Sequence, residues 1–195
     1  MLKAGLTGNI GSGKSAVASV FAAIGIPVFH ADEESKKFLK IPGVSKSIIQ
    51  LFGMEITVDG VIDNKRLASV VFGNTHSLNQ LNLLLHPLVM QEFSSWLGLK
   101  AGAPYVIMES AILFETGYAE EFDYIIHVSC DEETAIDRVV RRDGLPAEMV
   151  IRRMEHQMKN DDKARLSDFI IINDGSQLII PQVISIHKKL LGSIM

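Results

Sequence analysis

Five short apolar runs alternate with longer amphipathic stretches along most of the chain. The runs lie at residues 2–7, 26–29, 105–108, 124–128 and 169–172. Runs with almost no polar positions are typical of strands that helices cover on both faces. Their alternation with helical patterns predicts an α/β fold, with a parallel sheet about five strands wide and helices on both faces.

The amphipathic stretches carry their own start and stop signals. Between the first two runs, apolar residues recur at helical spacing over residues 14–24, and Gly25 ends the pattern. Residues 131–142 predict another helix, which Asp131 caps and which ends before Gly144. This helix and the segment after it are dense in arginine, with Arg138, Arg141, Arg142, Arg152 and Arg153.

The stretch between the second and third runs does not repeat the strand–helix alternation. It contains a helical stripe of apolar residues that includes Leu78, Leu81, Leu85, Leu88 and Val89. Pro87 falls within the stripe and should kink or break the helix, because proline removes a backbone hydrogen bond and clashes with the preceding turn. We interpret residues from about 33 to 100 as a helical substrate-binding insertion in a single domain, whose core comprises residues 1–32 and 101–195.

Composition narrows the class of protein. Of the 195 residues, 47% are hydrophobic, which excludes general disorder. A net charge of −4 argues against broad nucleic-acid binding, and the single cysteine excludes a disulfide framework or a cysteine zinc site. No apolar run approaches the roughly 20 residues that cross a bilayer, and the first residues lack the apolar core of a signal peptide. We expect a soluble cytoplasmic protein that binds neither nucleic acid nor membrane, and we infer no obligate protein partner.

A glycine-rich loop follows the first predicted strand. Residues 8–15 match the pattern G-x-x-x-x-G-K-[ST] at every fixed position. Glycines let successive backbone amides point at an anion, and the N-terminus of the following helix adds its dipole. Lys14 can then reach the outer phosphates of a nucleotide, and the Ser15 hydroxyl can bind Mg²⁺. The predicted ATP-binding residues of the loop are Gly8, Asn9, Ile10, Gly11, Ser12, Gly13, Lys14, Ser15 and Ala16.

A phosphate loop does not by itself identify the reaction. The sequence lacks the Asn-Lys-x-Asp motif with which signalling GTPases read guanine, and it is short for a large ATPase or a motor. A helical insertion and an arginine-rich segment instead suit phosphoryl transfer to a small molecule. Such a kinase must exclude water from the reaction, and mobile segments that close over the substrates serve that purpose.

An ordered set of further motifs resembles the dephospho-CoA kinase family. Beyond the loop, the matching stretches are Ala31-Asp32, Arg66 with Val71-Phe72, Leu81-Asn82 with His86-Pro87, Leu113-Phe114-Glu115, Arg138 to Asp143, Arg153 to Gln157 and Asp168 to Asn173. The resemblance implies a P-loop kinase similar in fold to nucleoside monophosphate kinases, with a lid at about residues 138–153. It also implies that ATP with Mg²⁺ phosphorylates the ribose 3′-hydroxyl of dephospho-CoA, giving CoA and ADP in the final step of coenzyme A biosynthesis.

The chain departs from the family pattern in three stretches, and in the one that begins at Glu109 it also has Ala111 and Ile112 where the family usually has proline and leucine. His30 stands where the family usually has the first aspartate of Asp-Ala-Asp, Glu109 where it has aspartate, and Ala16 where threonine is common. The second aspartate of the pair is kept as Asp32, so its catalytic assignment can be carried over. The role of the first carboxylate cannot be carried to His30.

The resemblance implies three catalytic residues. Asp32 corresponds to the proposed base, which accepts the proton of the attacking hydroxyl or only orients it. Alternatively, Asp32 caps the helix that follows. Lys14 and Arg142 would stabilise the transferring phosphoryl group, and Arg138, one helical turn before Arg142, would bind ATP. The alternative for these arginines is simple solvation on an exposed helix.

A metal site and two structural residues are also predicted. Glu109 ends a predicted strand, where a carboxylate can hold Mg²⁺ through water, together with Ser15. Alternatively, Glu109 is a capping or solvated carboxylate. His127 lies within a buried strand and Cys130 ends it, so both are interpreted as structural.

The resemblance places the CoA-like substrate on the insertion. Arg66 would pair with a substrate phosphate, and His86 would contact the substrate as well. Alternatively, His86 and Pro87 form a helix-breaking structural pair.

Two other functions are compatible with the same residues. One is phosphorylation of another small metabolite or a nucleoside monophosphate by a kinase of this architecture. The other is a nucleotide-sensing module without transferase activity, which the departures at His30 and Glu109 keep open.

Overall fold

All five apolar runs form strands of one parallel sheet in the computed structural model, which describes residues 1–193. The strands of this sheet are β1 (Leu2–Thr7), β2 (Val28–His30), β5 (Tyr105–Glu109), β6 (Tyr124–Ser129) and β7 (Phe169–Ile172). Two short strands, β3 (Thr57–Val58) and β4 (Val61–Ile62), lie outside it. The sheet has the order β2-β5-β1-β6-β7, and its strand pairs are parallel. The predicted α/β class is therefore confirmed.

The helices agree with the sequence signals where those signals were strong. They are α1 (Lys14–Ala23), α2 (Ala31–Phe38), α3 (Pro42–Phe52), α4 (Asn64–Val71), α5 (Thr75–Gly98), α6 (Glu132–Asp143), α7 (Ala147–Met154), α8 (Asn160–Arg165) and α9 (Ile179–Gly192). Asp131 accepts a hydrogen bond from the Thr134 amide at 2.8 Å, and Gly144 ends α6 with a φ of 65°. Both ends of α6 are therefore formed by the predicted residues.

β1 lies at the centre of the parallel sheet. Residues 2–6 of β1 pair with residues 105–109 of β5, and β6 flanks β1 on the other side. The core around it includes Ala4, Leu6, Val17, Phe21, Ile107, Ile126, Val183 and Leu190. Because the strands are parallel, the carboxyl ends of β1, β2 and β5 meet at one edge of the sheet, which is where open α/β sheets bind ligands.

The chain divides into two compact units. The first comprises Met1–His30 and the chain from Trp96 onward, and it contains the parallel sheet. The second comprises Ala31–Ser95, which includes α2, α3, α4 and most of α5. This second unit has its own apolar core, with buried residues Ile48, Phe52, Ile56, Leu67, Val71, Leu81 and Leu85.

The second unit also contains an antiparallel hairpin, β3–β4, which the sequence-based prediction lacks. Its two-residue turn is Asp59-Gly60, with φ values of 50° and 78°. Positive φ at both positions is what a type I′ turn requires, and Asp-Gly is a strong signal for it. Each strand is only two residues long, so no alternation of apolar and polar positions could indicate it.

α5 runs without interruption through Pro87, so the predicted break at this proline is wrong. Leu85 before the proline and Val89 and Phe93 after it are all buried. Tertiary packing on both sides therefore holds the helical path, which outweighs the cost of one missing hydrogen bond. Pro87 itself is exposed, where water can satisfy the carbonyl that loses its partner.

His127 is a fully buried histidine of β6, in agreement with its structural interpretation. Its Nε2 lies 2.9 Å from Asn160 Oδ1, and Nδ1 has no hydrogen-bond partner among the described residues. Burial lowers the pKa of His127 from 6.5 to about 4, so the ring is neutral at pH 7.

We expect this histidine to make the protein less stable in acid. Below about pH 6.5 the unfolded chain takes up a proton that the folded protein accepts only near pH 4, so the free energy of unfolding falls as the pH falls between these values. Across that window the loss is about 3 kcal/mol for one such group. Urea titrations at several pH values should show a shallower pH dependence for His127→Gln than for the wild type, and equal slopes would contradict the assignment.

Candidate active site

The loop after β1 depends on two glycines in left-handed conformations. Gly11 has a φ of 80° and Gly13 a φ of 88°. A Cβ at Gly11 would overlap the backbone of Ala135 on α6, and a Cβ at Gly13 would overlap the side-chain amide of Asn173 after β7. Backbone conformation and close packing therefore both require glycine at these positions.

Lys14 and Ser12 bring polar atoms into the buried part of the loop. Lys14 begins α1 and is 8% exposed, and its Nζ lies 3.4 Å from the carbonyl oxygen of Asn9. The Ser12 hydroxyl is buried and has no hydrogen-bond partner within residues 1–193. Burial of a hydroxyl without a hydrogen bond costs free energy, which an anionic ligand can recover. Ser15 and Ala16 are exposed in the first turn of α1.

The two arginines that the sequence singled out on α6 have different partners. Arg138 Nη1 donates to the carbonyl oxygen of Asn173 at 2.8 Å and lies 3.5 Å from that of Gly11. Arg142 forms a bidentate ion pair with Asp143, at 2.7 and 2.8 Å, and its side chain is 62% exposed. Arg138 therefore lies at the loop, whereas Arg142 is held by its neighbour on the surface of α6.

A segment between α7 and α8 also contacts the loop. Gln157 Oε1 accepts a hydrogen bond from the Ile10 amide at 2.9 Å, and Asn9 Nδ2 donates to the Met158 carbonyl at 3.2 Å. No role was predicted for Gln157, because a glutamine between helices belongs to no periodic pattern. The resemblance between residues 153–157 and a family motif was the one signal that could have found Gln157.

An ion pair with a fully buried lysine lies beside that segment. Lys163 on α8 is fully buried, and its Nζ lies 2.9 Å from Glu115 Oε1 and 2.6 Å from the Ala111 carbonyl oxygen. The same Glu115 oxygen accepts the Met158 amide at 2.7 Å. Burial lowers the pKa of Lys163, and the Glu115 carboxylate opposes that shift. No pattern in the sequence predicts that Lys163 is buried, because a lysine that follows two aspartates is typical of an exposed helix.

His30 and Glu109 form a pair at the carboxyl ends of β2 and β5. They are register partners in the sheet, and His30 Nδ1 lies 2.8 Å from Glu109 Oε2. The Glu109 side chain is 8% exposed, so it is not a solvated surface carboxylate. These two departures from the family pattern are therefore a single structural unit.

The remaining predicted site residues lie in the second unit. Asp32 is exposed and is the second residue of α2, so it lies within the first helical turn rather than before it. Arg66 Nη1 donates to the Thr57 carbonyl at 2.7 Å and so supports the hairpin. Burial lowers the pKa of His86 on α5 to about 4, so at pH 7 this ring offers no positive charge to a phosphate.

Two findings concern the described residues as a whole. No helix among residues 1–193 is long and apolar enough to cross a membrane. Within the same residues, His, Cys, Asp and Glu side chains do not gather in groups of three or more that could hold a metal ion.

A parallel sheet whose central strand runs into a glycine loop, a buried lysine and a helix defines a P-loop nucleotide-binding protein. The family model for dephospho-CoA kinase matches residues 2–178. The chain therefore belongs to the dephospho-CoA kinase family, and the resemblance in its motifs is confirmed.

One curated relative and two solved structures are similar to this chain. The dephospho-CoA kinase of Bacteroides fragilis is 38% identical over 186 residues, covering 95% of this chain and 91% of that protein. The crystal structure of TT1252 from Thermus thermophilus has a TM-score of 0.84 at 29% identity, covering 100% of this chain and 98% of its own. Dephospho-CoA kinase from Campylobacter jejuni, at 23% identity and 99% and 98% coverage, shares the fold with a TM-score of 0.68.

Proposed function

We propose that this chain transfers the γ-phosphoryl group of ATP to the ribose 3′-hydroxyl of dephospho-CoA. The family match across residues 2–178 carries the choice of acceptor, and the geometry of the loop supports ATP as the donor. The 3′-oxygen attacks the γ-phosphorus as the bond to the β-phosphate oxygen breaks. The products are CoA and ADP, and the proton of the hydroxyl leaves through a base.

The loop and Arg138 form the donor site in this proposal. The amides of Ile10, Ser12 and Ala16 donate within the protein, so other amides between Gly8 and Ala16 bind the phosphates, and Lys14 neutralises charge on the outer ones. Arg138 contacts both the loop and the segment after β7, so it fixes the loop and lies where it can bind ATP. In these roles Lys14 stays beside the loop, where its Nζ lies 3.4 Å from the Asn9 carbonyl oxygen.

Ser15 and Glu109 are the residues that would hold Mg²⁺. Their oxygen donors suit this hard cation, and Mg²⁺ usually keeps several waters, so it needs no dense cluster of protein ligands. His30 engages one Glu109 oxygen at 2.8 Å, which leaves the other oxygen to accept from a metal-bound water. When bound with ATP, Mg²⁺ neutralises charge on the phosphates and lowers the barrier to transfer.

The acceptor site would be supplied by Asp32, Arg66 and His86. Asp32 accepts the proton of the 3′-hydroxyl or orients it, and its place two residues beyond β2 supports that role. Arg66 pairs with a substrate phosphate, and His86 provides a neutral contact. Residues 138–153 act as a lid, and Arg142 reaches the transferring phosphoryl group by leaving Asp143 for it.

We also place the reaction in the cytoplasm, as a pathway step that needs ATP, dephospho-CoA and a reducing environment for a thiol product. Neither nucleic acid nor a membrane takes part in this scheme, and no further protein is required for it.

Acceptor specificity tests the proposal. ADP release is measured with ATP and Mg²⁺ in the presence of dephospho-CoA, AMP, adenosine or no acceptor. We expect ADP release only when dephospho-CoA is the acceptor, together with a product phosphorylated at the 3′ position. ADP release with another acceptor would leave the fold assignment intact but show that dephospho-CoA is not the substrate. ATP binding without any phosphoryl transfer would favour a nucleotide sensor.

A further inference from the structure

One peptide group of the phosphate loop is held from both sides. The Asn9 carbonyl oxygen lies 3.4 Å from Lys14 Nζ, and the Ile10 amide of the same peptide group donates to Gln157 Oε1 at 2.9 Å. A trans peptide group is planar, and its C=O and N–H point in opposite directions. Because Gln157 holds the N–H, it also fixes the direction of the carbonyl and the place where the Lys14 ammonium rests.

The segment that carries Gln157 is itself anchored. Asn9 Nδ2 donates to the Met158 carbonyl at 3.2 Å, and the Met158 amide donates to Glu115 Oε1 at 2.7 Å. Glu115 in turn is paired at 2.9 Å with Lys163, which is fully buried. An ion pair whose lysine is fully buried and which makes additional hydrogen bonds has little freedom to move. A continuous set of contacts therefore leads from the interior of the first unit to the loop.

We propose that Gln157 is a positioning residue, which sets the location of Lys14 Nζ for the outer phosphates of ATP. A glutamine amide suits this task because it is neutral. It accepts the loop N–H without placing a negative charge beside the phosphates, as a carboxylate there would do. The inference rests on the proposed role of Lys14 in binding ATP, but it does not depend on the identity of the acceptor.

A double-mutant cycle in nucleotide affinity tests this inference. Gln157→Met keeps the side-chain length and removes the acceptor, and we expect it to raise the dissociation constant of a fluorescent ATP analogue about tenfold. In a Lys14→Met background the same replacement should raise the constant less than about twofold, because the effect passes through the lysine. Equal weakening in both backgrounds, or none in either, would overturn the proposal.

A matched control separates positioning from general loss of stability. Asn74 accepts backbone amides from His76 and Ser77 at 2.9 and 3.2 Å, ahead of α5. Asn74→Ala should therefore lower the thermal midpoint and leave the affinity for the ATP analogue unchanged. If Gln157→Met does not fold, Gln157→Ala is measured in the same cycle. Because the experiment measures nucleotide binding, it tests the role of Gln157 even if dephospho-CoA is not the acceptor.

Discussion

Lys14→Met is expected to lower kcat about a thousandfold while the protein stays folded. The replacement keeps the aliphatic stem and removes only the ammonium group that we propose for binding the outer phosphates. Burial lowers the pKa of Lys163, and the positive charge of Lys14 adds to that effect. Removal of the Lys14 charge therefore relieves repulsion between two buried cations, so the fold should not be lost with the activity.

Coupled ADP release and thermal unfolding together check this expectation. Lys46 is an exposed lysine of α3, and Lys46→Met should keep the kcat of the wild type. A Lys14→Met protein that unfolds at the usual temperature and turns over at a rate within about tenfold of the wild type would remove Lys14 from the proposed mechanism.

Asp32→Asn is expected to reduce kcat by about two to four orders of magnitude, the usual range for a general base. The amide keeps the shape of the side chain but cannot accept the hydroxyl proton as a carboxylate does. The KM for ATP should change little, because the proposed contacts with ATP lie on the loop and on Arg138. Steady-state kinetics with each substrate varied in turn measure the two effects separately.

The neighbouring residue provides the control for Asp32. Glu33 is exposed in the same first turn of α2, with the same charge and a similar relation to the helix dipole. Glu33→Gln should therefore retain nearly full activity. If both variants lose activity equally, the negative charge of the helix start is what matters, and the base assignment of Asp32 is wrong.

The parts of the molecule that could be predicted are those whose structure depends on residues close to one another in the sequence. The strands were visible because buried parallel strands have few polar positions, and β1, β7 and the cap at Asp131 agree with the prediction. The phosphate loop was visible because phosphate binding needs glycine, lysine and serine at fixed spacing along one segment. The catalytic roles of Asp32 and Arg142 stay predictions.

Features that depend on tertiary contacts could not be predicted in this way. The path of α5 through Pro87 depends on apolar packing before and after the proline, which local propensity does not include. Lys163 is buried because Glu115, nearly fifty residues earlier in the chain, supplies a partner at 2.9 Å. The contact between Gln157 and Ile10 likewise joins residues that no spacing rule connects.

The pairing of His30 with Glu109 belongs to the same class of unpredictable features. Each departure from the family pattern is uninformative alone, and only the parallel register of β2 and β5 shows that they contact each other. An aspartate at position 30 would set two carboxylates side by side here, which raises the pKa of one of them. The imidazole avoids that repulsion and explains how the longer glutamate is accommodated.

The close packing around Gly11 and Gly13 has a consequence for inactive alleles of this protein. A side chain at either glycine would overlap Ala135 or Asn173, so a missense change there lowers the abundance of folded protein as well as its turnover. A change at Lys14 should instead leave a full amount of inert protein in the cell. A glycine allele and a Lys14 allele that look identical in an enzyme assay would thus differ on an immunoblot. Only the Lys14 allele separates the loss of phosphoryl transfer from the loss of the protein itself.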